Sequence, residues 1–186
     1  MKNLRLTILI GCLAVMGLTI AVRAEMATMN EALTVADNWI TVIMQKRGSW
    51  SDSNTAAVEE IQEFKRGERT LGYFCRVWPK GYIVVSLRKE LAPVKAYSTT
   101  CDMDPELDEG MSDLIKLKME GILDKIEQQV GVVKLAGTEE VKSILEIDYR
   151  DAWIELEGDL STMEMVMGAD EADMNDLNYQ EGDVLL

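Results

Sequence analysis

The spacing of apolar residues changes twice along the chain. Leu33, Ala36, Ile40 and Ile43 recur at intervals of three and four, and Trp39 and Met44 widen the stripe. That spacing predicts an amphipathic helix. Thr28 and Glu31 have the spacing of a capping box at its start, and Gly48 stops it. Ser49 to Asn54 is a polar loop, and the charged stretch Glu59 to Gly67 is expected to be a short strand or an irregular connection. From Leu71 the period falls to two. Leu71, Tyr73, Cys75 and Val77 alternate with Gly72, Phe74, Arg76 and Trp78, Pro79-Lys80-Gly81 signals a turn, and Tyr82 to Leu87 is rich in β-branched residues. Two such runs joined so tightly predict an antiparallel hairpin. Arg88-Lys89-Glu90 is a charged connection, and Pro93 places the third strand, ending at Tyr97, at a strand start or a sheet edge.

The period then returns to that of a helix. Asp104-Pro105 reads as a helix opening, followed by an apolar face of Leu107, Met111, Leu114, Ile115, Ile122, Leu123, Ile126 and Val130, with Gly131 as the stop. Thr138 to Leu145 reads as a shorter helix and Trp153 to Leu156 as a last short strand. The order predicts an α+β domain: an antiparallel sheet of three or more strands with helices packed on one face. Tyr73, Phe74, Trp78 and Tyr82 are expected to fill a core or cover the sheet, and Met111 and Met119 to fill gaps in it.

The two ends of the chain differ from its middle. Lys2 and Arg5 precede an apolar run from Leu6 to Val22, and Val22-Arg23-Ala24 offers small residues at a cleavage position. Residues 1–24 therefore read as a secretory signal peptide, which predicts a secreted or periplasmic protein. A retained anchor is the alternative, since the run of 17 residues is at the lower edge of spanning length. After cleavage no membrane association is expected. The formal net charge of −14 becomes −17 once Lys2, Arg5 and Arg23 are lost. So acidic a chain is a poor partner for nucleic acid, whose phosphates call for a basic surface. No basic residue follows Arg150, and residues 159–186 read as an acidic tail or linker. Asp170, Asp173 and Asp176 lack the ligand spacing and central glycine of a calcium loop.

The chain has no histidine. That removes the Ser-His-Asp and Cys-His arrangements and the usual zinc sites. No catalytic residue, cofactor or metal ligand is expected. Cys75 and Cys101 outlast the signal peptide, and in an oxidising compartment the pair is expected to bridge, worth about 3 kcal/mol. Two buried thiols are the alternative.

The residues also carry a family pattern. Ala32, Ala36 and Trp39 in the first helix precede Gly72-Tyr73. Then come Pro79-Lys80-Gly81-Tyr82-Ile83-Val84-Val85-Ser86 and Leu91-Ala92-Pro93-Val94-Lys95-Ala96-Tyr97-Ser98. In order and spacing these runs resemble the streptopain-inhibitor (Spi) domain, which also serves as the propeptide of streptopain-like cysteine peptidases. The resemblance spans about Met26 to Val130 and sets the expected organisation: domain 25–135, an extension of short helix and strand at 136–158, then the tail. It implies an exported inhibitor that blocks the active-site cleft of such a peptidase. A non-inhibitory scaffold domain and a propeptide detached from a longer precursor are the alternatives; the oligomeric state stays open. The chain departs from the family at Leu87-Arg88-Lys89, where small and acidic residues are usual, and at Lys95, where an apolar residue is usual.

Overall fold

A computed structural model describes residues 25–130 and 149–158. Helix α1 (Met29–Arg47) is followed by strands β1 (Ala57–Arg66), β2 (Arg69–Trp78), β3 (Tyr82–Ser86) and β4 (Val94–Ser98). Helices α2 (Gly110–Val130) and α3 (Arg150–Glu157) complete the described elements. The strands form one antiparallel sheet in the order β1-β2-β3-β4. The α+β class is the one expected.

The helices, however, lie on both faces of the sheet. Ile83 and Val85 of β3 and Tyr73, Cys75 and Val77 of β2 pack with Val35, Ala36, Trp39 and Ile40 of α1 and with Trp153 and Leu156 of α3. Leu71, Phe74, Tyr82 and Val84 pack on the opposite side with Ile115, Met119, Leu123 and Ile126 of α2. The central strands are apolar on both faces, and a sheet of that kind needs a cover on each. The arrangement is three layers.

Local signals explain most element ends. The Thr28 N–H donates to Glu31 Oε2 at 2.7 Å and the Glu31 N–H to Thr28 Oγ1 at 3.3 Å, the two halves of the capping box. Gly48 closes α1 at φ +80°, its N–H donating to the Met44 carbonyl at 2.8 Å. The charged segment expected to be short or irregular is the ten-residue strand β1, paired along its length with β2 and interrupted by two register shifts. Its charges are tolerated because it is an edge strand on which Glu59, Glu60, Glu63 and Lys65 are open to solvent.

Two boundaries differ from expectation. α2 begins at Gly110, not at Asp104-Pro105. Asp104 Oδ1 accepts the Glu106 N–H at 2.9 Å, so the Asp-Pro pair shapes a turn in the loop ahead of the helix. Trp153 to Leu156 lies in a helix, and Trp153 and Leu156, three apart, point together into the core. Over four residues, strand and helix periods cannot be told apart. The signal segment 1–24, the helix expected at Thr138 to Leu145, the Gly131 stop and the tail 159–186 lie outside the described residues. Among the described residues no helix is long and apolar enough to cross a membrane.

The connection between β3 and β4 is buried rather than solvated. Arg88 and Glu90 are fully buried and pair side by side, Nη2 to Oε1 at 2.9 Å and Nε to Oε2 at 3.1 Å. Lys89 reaches Glu31 of α1 at 2.7 Å and Glu157 of α3 at 2.8 Å. The Trp153 indole donates to the Leu91 carbonyl at 2.8 Å, and Asn38 Nδ2 to the Leu156 carbonyl at 2.7 Å. These contacts clip α3 onto α1 and the β3–β4 loop.

Candidate functional site

The residues that carry the family pattern are almost all inside. Of Gly72, Tyr73, Pro79, Gly81, Tyr82, Val84, Val85, Ser86, Pro93, Val94, Ala96, Tyr97 and Ser98, only Pro79 is exposed. Their roles are visible in the packing. A Cβ on Gly72 would collide with the Val85 carbonyl and one on Gly81 with the Ser98 carbonyl, and Gly81 also has φ +110°. The Tyr73 hydroxyl donates to the Ala27 carbonyl at 2.9 Å. Ser86 Oγ donates to the Ala92 carbonyl at 2.5 Å. Tyr97 packs edge-on against Trp39 with ring centroids 5.5 Å apart. Ser98 Oγ accepts the N–H groups of Thr100 and Cys101 at 3.2 and 3.0 Å. The pattern specifies the fold; a surface that meets a partner must come from elsewhere.

A surface feature with the shape of a binding site lies at one end of the sheet. A groove of about 680 Å³ runs between Tyr82, the Ser98–Glu109 loop and the start of α2. Its loop is held at three separate points. Asp102 Oδ1 accepts the Gly81 N–H at 2.8 Å, and the Gln62 amide donates to Glu106 Oε1 at 2.7 Å. The buried Lys116 ammonium donates to Asp108 Oδ1 at 2.7 Å and to the Leu107 carbonyl at 3.1 Å, and sits 5.4 Å from the Phe64 ring centre. The Lys116 hydrogen bond holds the Asp108 carboxyl below its ordinary range. A loop held this way needs little further ordering when it meets a partner.

The groove is apolar at its base and acidic at its rim. Tyr82 and Met103 are buried in it, whereas Leu107 and Met111 are 46 % and 47 % exposed, and Leu114 and Leu117 continue the exposed apolar surface along α2. Leu107, Met111 and Leu114 were expected in the core with Met111 as a filler; the structure corrects this. The buried stripe of α2 is Ile115, Met119, Leu123 and Ile126, and the helix carries more apolar residues than its one packed face can bury. Trp78, also expected to pack, is 51 % exposed at the end of β2 beside the cis Trp78–Pro79 peptide.

Cys75 and Cys101 are not bridged. Cys75 is buried on the α1 side of the sheet, whereas Cys101 is exposed on the groove beside Tyr82, a residue of the α2 side. The sheet stands between them. Burial, with a smaller contribution from Asp37, pushes the Cys75 thiol up to about 12. Burial, and then the neighbouring Cys101, push the Tyr82 hydroxyl up. Lys95 sits at the register shift between β3 and β4, and burial alone pushes its ammonium down to about 8. Among the described residues no group of three or more Cys, Asp or Glu side chains is placed to hold a metal ion.

The sequence model of the Spi protease inhibitor family matches residues 24–122, more than half of the chain. The chain belongs to this family. The Spi match covers α1, the whole sheet, the groove loop and the first half of α2, and it ends before α3. No curated protein and no solved structure matches the chain. Membership in a protease inhibitor family implies a protease partner. The groove residues Leu107, Met111 and Ser112 were not singled out as a site from the sequence. The available signal was the surplus of apolar positions on α2 beside an acidic loop.

Proposed function

We propose that this Spi module is an exported inhibitor of a streptopain-like cysteine peptidase and that its groove end enters or covers the active-site cleft. The observation that carries this reading is the Ser98–Glu109 loop, anchored to the Gly81 turn, β1 and α2, beside large apolar side chains left open to solvent. Exposed apolar side chains clustered on a rigid loop and helix start are the usual makings of a protein interface. The signal-peptide pattern of residues 1–24 supports export.

Titrating a purified streptopain-like peptidase with the purified protein tests the reading. Stoichiometric loss of activity with the added protein left intact is the expected result. Loss followed by recovery as the protein is cut would identify a detached propeptide. Unchanged activity at micromolar protein would refute inhibition of that peptidase.

A further inference from the structure

We infer that the groove selects its partner by charge, taking a peptidase segment in which an apolar side chain is flanked by lysine or arginine. This rests on the inhibitory reading and adds the chemistry of the contact. The apolar lining of the groove is the buried Tyr82 and Met103 and the more exposed Leu107 and Met111. Its charged lining residues are Asp102, Asp104 and Glu109, with no lysine or arginine among them. From Asp102 to Asp113 the chain carries six acidic residues and no basic one. Two cations near it, Lys116 and Arg66, are engaged, with Asp108 at 2.7 Å and with Asp113 at 3.2 Å.

A second observation concerns Ser112 on the groove wall. Its side chain is buried, 3 % exposed, and its hydroxyl has no hydrogen-bond partner among the described residues. Buried hydroxyls are nearly always paired, so an unpartnered one on the groove wall is unusual.

Charge also decides against several other occupants. A second copy docked through the same face would set two acidic rims against each other in a two-fold contact. The chain's own tail, residues 159–186, is acidic with no basic residue. Nucleic acid and anionic lipid headgroups carry the same sign as the rim. A cationic, apolar protein segment complements both base and rim, and such complementarity sets partner choice and association rate.

The probes are two labelled twelve-residue peptides, one built of Leu-Lys-Gly repeats and one of Leu-Glu-Gly repeats, followed by fluorescence anisotropy with the intact protein. The cationic peptide is expected to bind, more weakly at high salt, and the anionic one not to bind. Asp104→Asn combined with Glu109→Gln changes two exposed residues and is expected to weaken binding about tenfold. Met111→Ser is expected to weaken it as well. Ile154→Ser, an exposed change on α3, should leave it unaltered. Equal binding of both peptides, binding of neither, or no effect of the neutralised rim would overturn the inference. In the peptidase titration the same double variant should inhibit about tenfold more weakly. Undiminished inhibition by that variant overturns the charge inference while leaving inhibition standing. Peptide discrimination without inhibition by the wild type supports the charge inference and sinks the inhibitory reading for that peptidase.

Discussion

Trp153→Ala asks whether the module ends with its family match or needs α3. Trp153 is almost completely buried among α1 and the β3–β4 loop, its indole bonds the Leu91 carbonyl at 2.8 Å, and Lys89 lies 5.8 Å from its ring centre. Burying about 200 Å² of aromatic surface at about 25 cal/mol per Å² is worth about 5 kcal/mol as an upper figure. Measured Trp-to-Ala losses in cores run about 3–5 kcal/mol, and the Leu91 carbonyl loses its partner as well. Against a total stability of about 5–15 kcal/mol this is a large fraction. Because α3 is a helix of eight residues, it can detach rather than unfold the domain, which limits the loss to the free energy of its docking. We expect about 3–4 kcal/mol, read as a urea midpoint about 2 M lower if m is about 2 kcal/mol per M. Far-ultraviolet circular dichroism is the suitable signal, since the substitution removes a fluorophore. Trp153→Phe keeps most of the area and loses only the hydrogen bond, so it should cost about 1–2 kcal/mol. A loss below about 1 kcal/mol for the alanine variant would refute the clip.

Other outcomes follow from single positions. Gly81→Ala should destabilise by more than about 2 kcal/mol in denaturant melts, because it adds a collision with the Ser98 carbonyl to a positive φ. Lys95→Met should stabilise at pH 7 by up to about 3 kcal/mol, since burial lowers the ammonium from 10.5 to about 8. The folded state holds this proton less tightly than the unfolded one, so the penalty is complete below pH 8 and fades as pH rises toward 10.5; the methionine variant should lack that rise. Partial burial raises the Glu31 carboxyl, but Lys89 and the Thr28 N–H and hydroxyl more than reverse this and hold it at about 2, against 4.5 unperturbed. Its contribution is present above pH 4.5 and is lost as pH falls toward 2, so Glu31→Gln should flatten that part of the stability profile. In native protein Cys101→Ser should abolish a fast-reacting thiol and Cys75→Ser should not, measured with an aromatic disulfide reagent.

Some features of this protein were fixed by local chemistry and could be read from its sequence. The capping box Thr28/Glu31, the stop at Gly48 and the Pro79-Lys80-Gly81 turn act within a few residues of themselves. The period-two run from Leu71 made the hairpin plain, and the glycines and serines of the family pattern made the Spi fold recognisable before any contact was known. What the sequence left open depended on partners distant along the chain. Whether the apolar residues of α2 are core or surface depends on how much sheet the helix covers, and Ile115, Met119, Leu123 and Ile126 fill that contact and leave Met111, Leu114 and Leu117 outside. Cys75 and Cys101 look pairable in an exported chain, but the sheet sets them on opposite sides. Arg88-Lys89-Glu90 reads as a charged connection, and only the packing shows that α1 and α3 close over it and that its charges pair in the interior. The groove exists because a loop, a turn and a helix start meet at one end of the sheet. Periodicity reports which face of one element is apolar; which surfaces remain uncovered is a property of how all the elements pack.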